Sequence, residues 1–209
     1  FRLDFCSLDL SVQCKFSNVL YLTFMQDIYY FGAGPAALPK PVLEKIQEEF
    51  LNYNNTGLSV VELSHRGKDF IDIKNNAESL LRELMQVPNN YAVLFMHGGA
   101  TSQFSMLPLN LVTIGASADY VCTGHWSKRA SAEAKRFVEI NEIDVLEDGD
   151  STSILPPETW KLNPNATYIH YCDNETINGV AFDKIPDANG IPLACDMTSS
   201  ILTRPVEFN

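Results

Sequence analysis

Tyr91-Ala92-Val93-Leu94-Phe95-Met96-His97-Gly98-Gly99-Ala100-Thr101-Ser102-Gln103-Phe104 joins an apolar run to two adjacent glycines and a set of small or hydroxylated residues. The run predicts a buried strand, and the glycines with their small neighbours predict a strand-to-helix turn with several backbone N–H groups aimed outward at the positive end of a helix dipole. Such a turn suits a phosphate. No lysine follows at Walker spacing and the glycines do not form Gly-x-Gly-x-x-Gly, so neither a nucleotide P-loop nor a dinucleotide fold is indicated. Tight βα turns also use glycine for steric reasons alone, and the rest of the chain must decide between the two readings.

The remainder of the sequence repeats the same grammar. Pro39 and Pro41 open a helix whose Val42, Leu43, Ile46 and Phe50 keep helical spacing. A second helix is predicted over residues 68–85, where Phe70, Ile73, Ala77, Leu80 and Leu84 step by three and four. Both are expected to face a core on one side. Three further strands are predicted at 119–123, 167–172 and 191–195, apolar on nearly every residue as expected of strands covered by helices on both faces. Strands alternating with helices specify an α/β fold with a parallel or mostly parallel sheet. In such a sheet the turns after all four strands emerge on one rim, where ligands bind.

Composition narrows the partners. The 209 residues are 45% hydrophobic, enough for a real core, and 15 Lys+Arg against 26 Asp+Glu give a formal charge of −11. With no basic cluster, nucleic acid and anionic membrane are excluded as expected partners, and a bound phosphate must rely on backbone amides and a few placed arginines. Cys6, Cys14, Cys122, Cys172 and Cys195 are odd in number and contain no Cys-x-x-Cys pair, reading as reduced, mostly buried thiols of a cytoplasmic protein. The four histidines are scattered, and no metal site is expected. The apolar run at 19–25 is far shorter than the roughly 20 residues a membrane span needs. Residues 1–24 begin with Phe, precede the first methionine, Met25, and differ in pattern from the rest of the chain; a translated leader, a gene-model extension and a fragment edge are the alternatives.

The rim turns carry the chemistry. Asp196 ends a buried strand, where it can hold a proton on a ligand nitrogen or cap the following Thr198-Ser199-Ser200 turn. Trp126, beyond Gly124, can wall an aromatic ring or simply fill the core. Thr176 offers a hydroxyl or a turn residue, and His65-Arg66-Gly67 a cation for a carboxylate or a solvated loop. A phosphate cradle, a ring wall, a carboxylate for a ring nitrogen and an arginine together describe a pyridoxal-phosphate site.

From about Asp27 onward the chain resembles the phosphoserine aminotransferases, in the class V branch of fold-type I pyridoxal-phosphate enzymes. The resemblance rests on Phe31-Gly32-Ala33-Gly34-Pro35-Ala36, Glu62-Leu63-Ser64-His65-Arg66-Gly67-Lys68, the 97–104 turn, Tyr171-Cys172-Asp173-Asn174-Glu175-Thr176-Ile177-Asn178-Gly179, and Asp196-Met197-Thr198-Ser199-Ser200 leading to Arg204-Pro205. It implies a three-layer α/β/α sandwich, here an incomplete large domain over residues 27–209 without the small C-terminal domain, with residues 1–26 outside the match. It implies further that Ala100 and Thr101 hold the cofactor phosphate, Trp126 stacks on the pyridine ring, Thr176 bonds near the phenolic oxygen, and Asp196 pairs with the ring nitrogen. His65 and Arg66 would take the substrate carboxylate, with the backbone at Ala33 lining the same pocket.

The family reaction passes an amino group from L-glutamate to 3-phosphohydroxypyruvate, giving 2-oxoglutarate and O-phospho-L-serine in serine biosynthesis, and its enzymes are cytoplasmic homodimers. Its Schiff-base lysine follows the Asp-Met-Thr-Ser-Ser element at a position beyond Asn209, and the last lysine here, Lys184, precedes Asp196. The resemblance therefore implies a fragment with no catalytic residue of its own, expected to be inactive alone; the alternative is a non-catalytic form that keeps residual cofactor or phosphate binding or an interaction role.

Overall fold

The computed structural model describes residues 28–147 and 152–208, so the readings placed on residues 1–26, including Cys6, Cys14 and the run at 19–25, lie outside the described residues. In chain order the elements are α1 (Lys40–Phe50), α2 (Lys68–Met85), α3 (Gly99–Leu111), β1 (Ser117–Cys122), α4 (His125–Ala134), β2 (Glu139–Asp144), β3 (Ile169–Cys172), the short pair β4 (Asn174–Glu175) and β5 (Val180–Ala181), and β6 (Leu193–Asp196). The main sheet has the order β2-β1-β3-β6 with every pairing parallel. β4 and β5 form a separate antiparallel ribbon directly after β3.

Alternation along the central strands builds two cores. On one face Ala118, Tyr120 and Tyr168 pack with Phe104 of α3 and Ala130 and Ala134 of α4. On the other, Val121, Ile143, Ile169 and Tyr171 meet Trp160, Phe182 and Ala188, which belong to non-helical chain. Burial on both sides is why β1 and β3 read as mostly apolar runs, with Asp119 and His170 as their buried polar exceptions. The register pairs Cys172 with Asp196 and His170 with Ala194, so these four side chains share the face covered by α3 and α4.

Three of the four expected strands form, as β1, β3 and β6, and the α2 boundaries match the periodicity. The run at 91–96 does not become a strand. It is extended chain with no ladder partner among the described residues, and Leu94, Phe95 and Met96 stay 73%, 54% and 59% exposed. Apolar content favours a strand, but only a neighbouring strand supplies the hydrogen bonds that define one. Conversely, β2 is not among the expected strands, because Glu139, Asn141, Glu142 and Asp144 break the apolar pattern. An edge strand with one paired side tolerates such polar residues. Neither α1 nor α2 buries a residue, contrary to the expectation that both face a core, since no described element covers their apolar stripes. Among the described cysteines, Cys122 and Cys172 are buried free thiols, whereas Cys195 is exposed.

Candidate functional site

The turn that opens α3 and the three turns that follow or end β1, β3 and β6 can be built one at a time. At the start of α3, Gly98 has φ +92° and Gly99 φ +59°, left-handed conformations that side chains disfavour. A Cβ at Gly98 would also lie 2.3 Å from Ser102 Oγ. No side chain caps this helix, and its first backbone bond runs from Ser102 N–H to Gly98 O at 3.3 Å. The amides of Gly99, Ala100 and Thr101 therefore project past the helix start without intrahelical acceptors. Ala100 packs on the same buried cluster as Ala194, and the Phe104 ring meets His170 edge-on at 5.9 Å, which anchors this N-terminus beside β3 and β6.

The second turn places the half-buried Trp126 in the first turn of α4, with His125 edge-on at 4.9 Å and Arg129 Cζ 5.9 Å from its ring centroid. The third turn holds Thr176 next to Glu175, a fully buried carboxylate whose Oε2 accepts the Trp126 backbone N–H at 2.8 Å. Trp126 and Thr176 are thus brought together through one residue. In the fourth turn Asp196 Oδ1 accepts both the N–H of Thr198 at 2.9 Å and its hydroxyl at 2.5 Å. Among the described residues, Asp196 Oδ2 meets only the weak donor Cys172 Sγ, at 3.8 Å.

Two polar groups beneath this rim carry no local sequence signal. His170 is 3% exposed, stacked on Tyr120 at 4.7 Å, and its Nδ1 is the buried side-chain atom without a partner among the described residues. Burial pushes its imidazole down to about 4, with the Asp196 charge acting weakly in the opposite direction. The second is Asp173, buried, which accepts from Ser200 Oγ at 2.6 Å and forms an ion pair with Arg204; the Arg204 guanidinium also donates to Phe182 O. Asn174 Nδ2 adds a bond to Ser199 Oγ at 2.9 Å. Asp173 and Asn174 stand inside one family motif, but their partners lie 25 to 31 residues away and leave no local mark.

Ala33, His65 and Arg66 are not joined to this constellation. All three are exposed, and none shares a hydrogen bond or ion pair with a rim turn among the described residues. The described residues contain no cluster of His, Cys, Asp and Glu able to hold a metal, and no helix long and apolar enough to cross a membrane.

Unpaired amides at a glycine-opened helix, an indole face, a hydroxyl, and a carboxylate with one oxygen lacking a strong donor form a donor set for a flat, phosphorylated heteroaromatic ring with a basic nitrogen. Comparison with known proteins agrees with that chemistry. The family model described as aminotransferase class-V matches residues 28–209. A phosphoserine aminotransferase of Laribacter hongkongensis is 49% identical over 182 residues, covering 87% of this chain and 50% of the relative. One from Pseudomonas entomophila is also 49% identical, over 181 residues, with coverage of 87% and 50%.

Among solved structures, a phosphoserine aminotransferase from Bacillus circulans subsp. alkalophilus superposes with a TM-score of 0.82 at 41% identity, covering 87% of this chain and 50% of that one. The PLP-bound phosphoserine aminotransferase of Trichomonas vaginalis gives 0.81 at 43% identity, covering 87% and 51%. The chain spans about half the length of the curated relatives it matches.

Proposed function

Because the chain belongs to the class-V aminotransferase family, we propose that it carries the cofactor-gripping elements of a phosphoserine aminotransferase. The reaction transfers the amino group of L-glutamate to 3-phosphohydroxypyruvate, yielding 2-oxoglutarate and O-phospho-L-serine for serine biosynthesis. The cofactor is pyridoxal 5'-phosphate, the working form a cytoplasmic homodimer, and residues 27–209 the cofactor-binding part of the large domain. The observation that carries this reading is a parallel sheet whose β1, β3 and β6 lead to Trp126, Thr176 and Asp196, with the glycine-opened α3 packed on the same face as α4.

When bound, the pyridine ring supplies an electron sink for the pair released as a substrate Cα–H bond breaks. Each residue then has a task set by its chemistry. The Gly99, Ala100 and Thr101 amides, with the α3 dipole behind them, receive the phosphate dianion in a chain whose net charge of −11 repels it. Trp126 offers the flat face that fixes the plane of the ring, and Thr176 donates its hydroxyl toward the ring's phenolic oxygen. Asp196, with Oδ1 held by Thr198, presents Oδ2 to the ring nitrogen and keeps a proton there. Arg66, with His65 beside it, takes the substrate carboxylate, and the backbone at Ala33 closes that side of the pocket.

The test is glutamate-dependent transamination by the full-length protein with 3-phosphohydroxypyruvate as acceptor, compared with pyruvate, glyoxylate and oxaloacetate. Turnover is expected with the phosphorylated oxo acid above the others. A preference for an unphosphorylated acceptor, or no change in Trp126 fluorescence on adding pyridoxal phosphate, overturns the reading.

A further inference from the structure

Glu175 stands out because it is a carboxylate with no exposed surface that serves a helix from another part of the chain. Its Oε2 accepts Trp126 N–H at 2.8 Å, and its Oε1 accepts Ser127 N–H at 2.9 Å and the Ser127 hydroxyl at 2.6 Å. Thr123 Oγ1 lies 3.4 Å from the same oxygen. Ser127 Oγ in turn accepts the N–H groups of Thr123 at 2.9 Å and Gly124 at 3.0 Å. The amides of Thr123, Gly124, Trp126 and Ser127 around the start of α4 are therefore satisfied by one carboxylate and one hydroxyl, and the carboxylate sits at the positive end of the helix.

Gly124 makes the approach feasible. A Cβ there would stand 2.7 Å from Glu175 Cδ and 2.8 Å from Cγ, closer than packed atoms tolerate. On the Glu175 side, the neighbouring Asp173 and Asn174 bond Ser200 and Ser199, so three consecutive residues tie the second rim turn to the fourth. Nothing in this network requires Glu175 to touch a ligand: three of the four donors around it, the Trp126 and Ser127 N–H groups and the Ser127 hydroxyl, belong to α4.

Resting on the cofactor reading above, we propose that Glu175 is a positioning residue for the ring wall: its buried carboxylate clamps the first turn of α4 so that Trp126 and the adjacent Thr176 act as one rigid unit. The carboxylate form matters because four donors converge on two oxygens. In Glu175→Gln one oxygen becomes an NH2 group that faces N–H donors, so an amide at the start of α4 loses its acceptor while side-chain volume is kept.

The experiment uses the full chain labelled with 5-fluorotryptophan. It has two tryptophans, and Trp160, whose Nε1–H donates to Leu155 O at 2.9 Å, is the internal control. Without cofactor, Glu175→Gln is expected to shift and broaden the Trp126 fluorine resonance while leaving the Trp160 resonance in place. With pyridoxal phosphate its dissociation constant is expected to rise about tenfold, which corresponds to ~1.4 kcal/mol.

Gly124→Ala, which pushes the carboxylate off the helix from the other side, is expected to move the same resonance and decides the matter if Glu175→Gln does not fold. A Trp126 resonance unchanged in a folded variant, with only the melting temperature lowered, overturns the clamp. A wild-type Trp126 resonance that ignores pyridoxal phosphate would instead count against the cofactor reading, because the clamp is judged from the cofactor-free spectra.

Discussion

Acid should weaken this fold through the buried His170, and the size of the effect can be worked from its surroundings. The ring is buried between Tyr120 and Phe104, its Nδ1 has no partner among the described residues, and burial holds its imidazole down to about 4 against an ordinary value of 6.5. The folded state thus binds the proton less readily than the unfolded chain. Neutral His170 contributes its full stabilisation above pH 6.5, and that contribution is lost progressively as the pH falls toward 4. At ~1.4 kcal/mol for each unit of displacement, the whole window amounts to about 3 kcal/mol, of which about 2 kcal/mol is gone by pH 5.

A domain typically has only ~5–15 kcal/mol in total, so the loss is visible. The assay is equilibrium urea unfolding at steps from pH 7.5 to 5.0, for wild type and His170→Phe. Phenylalanine retains a ring against Tyr120 and Phe104 and cannot titrate. Carboxylate contributions appear in both curves and largely cancel, apart from Asp196, whose charge faces His170. Wild type is expected to lose about 2 kcal/mol more than the variant over this range. The proton resonance of His170 should also fail to titrate near pH 6.5. Parallel stability curves, or a titration of His170 near 6.5, would refute the reasoning.

The remaining expectations concern the rim. Gly98→Ala combines a left-handed backbone with a Cβ 2.3 Å from Ser102 Oγ, and should weaken pyridoxal-phosphate binding at least tenfold, ~1.4 kcal/mol by calorimetry. Pyridoxal without its phosphate should be affected much less, and equal losses for both ligands would remove the phosphate role from this turn. Asp196→Ala in the full-length enzyme should lower kcat far more than it lowers the urea midpoint; unchanged activity would leave Asp196 as a cap for Thr198 alone. Asp173→Asn strips the charge partner from Arg204 and weakens the bond to Ser200, and should cost about 2 kcal/mol in chemical denaturation, since the pair is buried on one side and open on the other. A cost near zero would show that the turn after β6 is held by other contacts.

Much of this architecture is legible in the sequence wherever one residue's environment is set by its neighbours along the chain. β1 and β3 are buried on both faces, so nearly every residue is apolar and the strands announce themselves. The α2 stripe from Phe70 to Leu84 gives the helix its boundaries even though the structure buries none of it, because periodicity records what a helix can cover and not what covers it. The run at 91–96 and β2 fail for opposite reasons: the first has strand composition without a paired neighbour, and the second has a paired neighbour without strand composition. Trp126, Thr176 and Asp196 are legible because each lies at or just beyond the end of a strand, and Ala100 and Thr101 because two glycines open α3 before them. Glu175 is not, since a buried carboxylate is intelligible only with its donors, and those lie 48 to 52 residues earlier.

Asp196 shows how two readings that compete along the sequence can coexist in the structure. Read along the chain, capping the Thr198 turn and holding a proton on a ligand nitrogen are rival explanations of one carboxylate. In three dimensions they can use different oxygens: Oδ1 is occupied by the Thr198 amide and hydroxyl, while among the described residues Oδ2 has only the thiol of Cys172. The parallel register accounts for this division, because it pairs Asp196 with Cys172, on the face covered by α3 and α4. The turn fixes one oxygen and thereby aims the other. A cap that orients the carboxylate supports the role we propose for it, and predicts that Thr198→Val, which deletes only the hydroxyl donor, should lower affinity for pyridoxal phosphate without removing the negative charge. Binding unaffected by that substitution would mean that Asp196 is oriented by the Thr198 amide alone.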